Sequence, residues 1–152
     1  MNTNTINLEI LLKESIFGLC IMGAVAIFNI YSFAWISLTY GRVLREGRYH
    51  GKHYEMFRYV AFILLLVIAM LVSLSIWVLA LTSFNFVSDW APALLFAASY
   101  FTSVGNFTVD LPMGWRLIPS IIAFSGLFGF AWATASSIGM AHNLSLHLEK
   151  HQ

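Results

Sequence analysis

Few residues in this chain could do chemistry, and the densest internal group is Thr102-Ser103-Val104-Gly105-Asn106-Phe107-Thr108-Val109-Asp110. It combines hydroxyls, an amide, a glycine and one carboxylate. Such a β-branched, polar, Gly-containing stretch disfavours helix. Irregular backbone at membrane depth is tolerated only where it is buried in protein or lines water. The five histidines fall at His50, His53, His142, His147 and His151. Spacings of four and five would allow a metal or proton sensor on one helical face. No Cys or acidic partner completes a ligand set, so a solvated tail is the reading and no metal is expected. Asn106-Phe107-Thr108 and Asn143-Leu144-Ser145 match the glycosylation sequon, one in the loop and one on the cytoplasmic side, as chance matches. There is no Ser/His/Asp set, no phosphate-cradling glycine loop and no internal repeat. The expectation is no enzyme and no cofactor.

The elements that must position the polar stretch follow from the rarity of charge. Of 152 residues, 59% are hydrophobic and only 10% charged, against about 25% charged in soluble domains. That excludes a soluble enzyme, a nucleic-acid binder and a disordered tail. A net charge of +1 carries no bulk message for an acidic partner. Aromatic residues at 16% suit lipid contact and interfacial anchoring, and Trp77, Trp90, Trp115 and Trp132 are read as anchors and packing rather than as cofactor contacts. Cys20 has no partner for an intrachain disulfide and, lying in an apolar run, reads as packing like a small hydrophobe.

Uncharged runs of 27, 30 and 32 residues separate Glu14 from Arg42, Arg58 from Asp89 and Arg116 from Glu149. Each exceeds the roughly 20 residues a spanning helix needs. Spans are placed near Ile16–Tyr40, Phe57–Thr82 and Trp115–Ala141. The first is too long for a signal peptide and lacks a cleavage site, so it is read as a retained helix. Asn29 within it is expected to face a protein neighbour. The run Ala91–Val109 behaves differently. Its first half is helical, with Pro92 in the first turn and Ser88 or Asp89 as cap. About eleven residues make about 16 Å of helix, half a membrane, and the polar stretch follows. That pattern is a re-entrant loop. Arg42, Arg45, Arg48, Lys52 and Arg58 are five of the eight basic residues, and by the positive-inside rule their loop is cytoplasmic. The N-terminus is then outside and the C-terminus inside a plasma or bacterial inner membrane. The same loop could also meet anionic lipid heads.

In order of helix, half-helix, polar segment and helix, Phe57–Ala141 resembles the pore module of the potassium-channel family. The resemblance is most specific in SYFTSVGNFTVDLPMGWRLIPS. Family members carry a T-V-G-Y-G-D-like filter, often followed by Leu-Pro and Trp-Arg. Thr102-Ser103-Val104-Gly105 matches the first part, and Leu111-Pro112 and Trp115-Arg116 match the rest without a gap. The resemblance implies an all-α membrane protein: three transmembrane helices, with a re-entrant pore half-helix and filter loop between the second and third. The segments are 1–15 outside, an extra helix at 16–40, a basic loop at 41–56, the pore module at 57–141 and a tail at 142–152. Within the module lie an outer helix at 57–82, a pore half-helix at 91–102, a filter loop at 102–112 and an inner helix at 115–141.

In such a module, successive carbonyls replace the water shell of a cation. Alternate residues take positive φ, which Gly adopts without steric cost, and the half-helix aims its partly negative end at the cavity. Thr102 and Ser103 stand where a hydroxyl ligand is expected. At the centre, Asn106 replaces Tyr, Phe107 replaces the second Gly and Thr108 replaces Asp. A left-handed non-Gly residue costs roughly 1–2 kcal/mol, so the chain is expected to rotate beyond Gly105 and discriminate weakly between monovalent cations. Asp110 would form an acidic ring, a local cap or an ion pair with Arg116. One re-entrant loop cannot enclose a pore, so a homotetramer is implied. Gly126, Gly129 and Gly139 would allow close helix packing, with Gly126 and Gly129 as candidate gating hinges. The expected function is a cation channel subunit with an altered filter. The alternatives are a non-conducting auxiliary relative and a four-span subunit of a membrane enzyme or transporter.

Overall fold

A computed structural model of the chain describes residues 8–46, 51–107, 111 and 115–150. The described residues form four helices and no strand: α1 Leu8–Glu46, α2 Lys52–Ser83, α3 Trp90–Phe101 and α4 Ile118–Glu149. Three of them, α1, α2 and α4, are long and apolar enough to cross a membrane. Only 22%, 28% and 22% of their most apolar windows are buried, so most of that surface faces outward. Exposed Ile16, Tyr31, Trp35 and Leu38 on α1, and Leu64 and Ile68 on α2, are tolerable only against lipid or protein. The chain is therefore a multi-pass membrane protein by length and composition.

The helices outrun the expected spans. α1 continues to Glu46 and α2 starts at Lys52, so Arg42, Arg45, Lys52 and Arg58 stand on helices rather than in a loop. Charge marks where a span leaves lipid, but a helix can continue into water. Arg48 lies outside the described residues. At the start of α2, Gly51 has φ +109, and its carbonyl accepts the amides of Tyr54 and Glu55 at 3.1 and 3.2 Å. The last span begins at Ile118, not Trp115, and runs beyond Ala141 to Glu149. Asp89 takes the N-cap position of α3 but its side chain makes no capping bond. Cys20 is exposed, on an outward face of α1.

The contacts divide the fold into two compact units: residues up to Ile27 with Ser73–Phe128, and Phe28–Val72 with Gly129 onward. In the first, Trp77 is fully buried, and its indole N–H donates to Ser125 Oγ at 3.1 Å. Trp77 is thus a packing residue of the core. Phe17 lies edge-on to Phe84, Phe86 and Trp115 with centroids 4.6, 5.5 and 5.5 Å away. At the end of α2, Asn85 takes φ +55, while Phe86 N–H bonds Leu81 O and Asn85 N–H bonds Thr82 O. That is a Schellman ending with Asn in the left-handed position.

The second unit packs Phe33, Ile36, Tyr40, Leu66 and Met140. Arg58 reaches the Glu55 carboxylate at 3.1 Å and donates to Val43 O at 2.9 Å, tying α2 to the end of α1. Asn29 is buried beside Gly129, where an added Cβ would meet Asn29 Nδ2 at 3.2 Å and Met70 Sδ at 3.0 Å. The polar side chain thus sits against the small residue of a neighbouring helix.

Candidate functional site at the end of the short helix

α3 has 12 residues, about 18 Å of helix, which is too short to be a fourth span. It buries Ala93, Phe96, Ala97, Ser99 and Phe101. Its seat is set by α4. A Cβ on Gly126 would fall 1.9 Å from Phe101 O and 2.8 Å from the same carbonyl carbon, so only a residue without a side chain lets α4 pass the end of α3. Ile118 and Ile122 of α4 are buried in the same unit.

Beyond Phe101 the chain turns its amides back onto the helix. Thr102 N–H bonds Ala98 O at 3.0 Å, Ser103 N–H bonds Tyr100 O at 2.8 Å and Val104 N–H bonds Ser99 O at 2.8 Å. Gly105 N–H joins Ser99 O at 2.9 Å. The Ser103 and Val104 bonds form a Schellman ending with Ser103, at φ +62, in the left-handed position. Gly105 follows at φ +64, so left-handed residues alternate with Val104 between them. Phe107 is not among the residues with positive φ, and the alternation ends at Gly105.

The amides of Thr102–Gly105 are thus satisfied inside the chain, whereas their carbonyls accept no hydrogen bond from the described residues. Thr102, Ser103, Val104, Gly105 and Asn106 are all exposed, and Phe107 is half-buried. A run of unpaired carbonyls is an oxygen-rich surface. Left in hydrocarbon, each would cost several kcal/mol; it requires water, a cation or another polar partner.

The expected site residues fare differently. Thr102 through Phe107 lie together on this turn. Thr108 and Asp110 lie outside the described residues, and so does any pairing of Asp110 with Arg116. The Thr102 hydroxyl donates back to the helix, 2.8 Å from Ala98 O, sharing that carbonyl with the Thr102 amide, as a Thr hydroxyl commonly does with the carbonyl four residues back. It is not directed outward with the carbonyls. Gly126 and Gly129 are close-packing positions, but a Cβ on Gly139 meets nothing within 4 Å, so the expected packing role fails there.

Sequence reasoning treated Glu14 only as the edge of a span. It is 1% exposed, and its Oε1 accepts the amides of Leu117 and Ile118, the latter at 3.1 Å. This carboxylate from α1 caps the N-terminus of α4, where free amides and the helix dipole favour negative charge. Pro119, in the first turn, needs no intrahelical donor. A lone acid just inside an apolar run was the available signal; its partner lies about a hundred residues away.

Comparison with known protein families, curated proteins and solved structures finds no match to this chain.

The non-Gly residue in the left-handed position makes a prediction. Ser103→Gly relieves the Cβ strain and is expected to raise stability by about 1 kcal/mol, read by denaturant unfolding in detergent. A loss of stability would mean that Ser103 does not hold this conformation.

Proposed function

We propose that the chain is a potassium-channel-like cation channel subunit with an altered filter, in which α3 is a re-entrant pore half-helix. The observation that carries the reading is the turn after α3, with its amides bonded inward and the carbonyls of Thr102, Ser103, Val104 and Gly105 accepting no hydrogen bond from the described residues. A dehydrated cation needs such a row of oxygens. The alternating left-handed residues Ser103 and Gly105 support it, because that alternation can turn successive carbonyls to one side. Four copies would enclose the path, with the N-terminus outside and the C-terminus cytoplasmic.

Selectivity follows from the number of oxygens. Phe107 stands where the family pattern has its second glycine, without the positive φ. Fewer ordered carbonyl sites weaken discrimination between potassium and sodium. The inward-bonded Thr102 hydroxyl favours a second reading, a pore-loop relative that no longer conducts.

Flux through purified protein in liposomes, comparing potassium, sodium and calcium, tests the proposal. The unmodified protein is expected to pass monovalent cations with weak preference. Asn106→Tyr combined with Phe107→Gly is expected to shift permeation toward potassium, or to create conduction where none existed. No flux from either protein, or a stable monomer by native mass measurement, would favour the non-conducting reading. Strong potassium selectivity in the unmodified protein would refute the altered filter.

A further inference from the structure

In the second compact unit, the last turns of α1 and α4 border a cavity of about 340 Å³ lined by Leu38, Gly41, Arg45, Asn143, His147 and Lys150, among others. Among the described residues no acidic side chain lines it. Arg45 is held at the wall by its Nε, which donates to Gly41 O at 3.2 Å; that bond leaves the two Nη groups as further donors. A Cβ on Gly41 would meet nothing within 4 Å, so the glycine keeps the space open. On the apolar side, the lining residues Leu38 of α1 and Leu146 of α4 are 61% and 44% exposed. Cations at one end and exposed apolar residues at the other match a molecule with the same division.

We propose that this cavity binds the phosphate of an anionic phospholipid, with Arg45 and Lys150 on the phosphate and the acyl chains along the exposed apolar surface of α1 and α4. Basic pockets at the ends of membrane helices attract anionic headgroups, and an Arg fork suits phosphate oxygens. The absence of a lining carboxylate disfavours a zwitterionic headgroup, whose ammonium would find no counter-charge. The apolar side distinguishes a lipid from a free phosphate, which has no use for it. The site is built from α1 and from the stretch beyond residue 141, both outside the two-helix pore module, and it stands whether or not the chain conducts.

Native mass measurement of lipid retained by the full chain, after mixing with equimolar phosphatidylglycerol and phosphatidylcholine, tests the proposal. Preferential retention of phosphatidylglycerol is expected. Arg45→Gln with Lys150→Gln should lower that preference by about thirtyfold. Arg42→Gln with Lys52→Gln removes the same charge from exposed positions that do not line the cavity, and should change it by less than about threefold. Gly41→Leu fills the open space without altering charge and should lower retention about tenfold or more. Equal loss in the two charge variants would mean general surface attraction and would overturn the site. Equal retention of both lipids would do the same, as would displacement of phosphatidylglycerol by an equal concentration of inorganic phosphate.

Discussion

Gly126→Ala is expected to destabilise the protein by about 3 kcal/mol, whereas the same substitution in an ordinary helix interior stabilises by about 1 kcal/mol. The sign reverses because the new methyl would arrive 1.9 Å from Phe101 O and 3.0 Å from Phe101 Cα. Both are backbone atoms of the α3 end, and no rotamer change can move them. Relief requires α4 to slide away from α3, opening contacts around Ile122 and Phe101, both buried. Gly139→Ala is the internal control, since its Cβ enters open space and the ordinary propensity gain should appear. Unfolding of both variants in detergent decides the matter; equal effects would show that α4 does not approach α3 at Gly126. Because the α3 end also holds the carbonyl turn, the proposed channel function carries the further expectation that Gly126→Ala lowers cation flux more than Gly129→Ala. At Gly129 the neighbours are the Met70 thioether and the Asn29 amide, flexible side-chain ends able to yield.

Glu14→Ala is expected to cost about 3 kcal/mol and Glu14→Gln about 1 kcal/mol. The alanine leaves the amides of Leu117 and Ile118 without their acceptor, and at Ile118, which is 1% exposed, water cannot substitute. The glutamine retains an oxygen acceptor and loses the charge that opposes the dipole of α4. The ordering Ala worse than Gln worse than wild type, measured by unfolding in detergent, is the diagnostic result. Equal stabilities would mean that the carboxylate does not cap α4. Lys13 is adjacent in sequence but exposed, and Lys13→Gln is expected to change stability by less than about 0.5 kcal/mol.

The sequence by itself determined the three spans and the short fourth helix. Charge is so costly in hydrocarbon that uncharged runs must mark where lipid lies, and backbone in lipid has little choice but helix. Pro92 and the β-branched, Gly-containing segment after Phe101 bracket α3 closely, because those residue types act locally on backbone conformation. Gly105 was legible for the same reason: a left-handed residue favours glycine wherever it occurs. Helix ends were less legible. Arg42, Arg45 and Lys52 signal departure from lipid but do not stop a helix, so α1 and α2 continue past the charges. Cys20 and Trp77 show a further limit, since in an apolar chain hydrophobicity cannot distinguish the face toward lipid from the face toward protein.

Only the tertiary structure decided which polar groups are satisfied and by whom. Glu14 and the start of α4 are far apart in the chain, and no spacing rule connects them. Gly126 and Gly139 look alike in sequence, but one meets the backbone of Phe101 and the other meets nothing. The direction of the Thr102 hydroxyl followed from the carbonyls of Ala98 and Ser99 that the turn brings within its reach. The cavity bordered by Arg45 and Lys150 exists because α1 and α4 end side by side within one unit. These are long-range pairings, set by the packing of helices against one another, whereas composition and local propensity report only on the helices themselves.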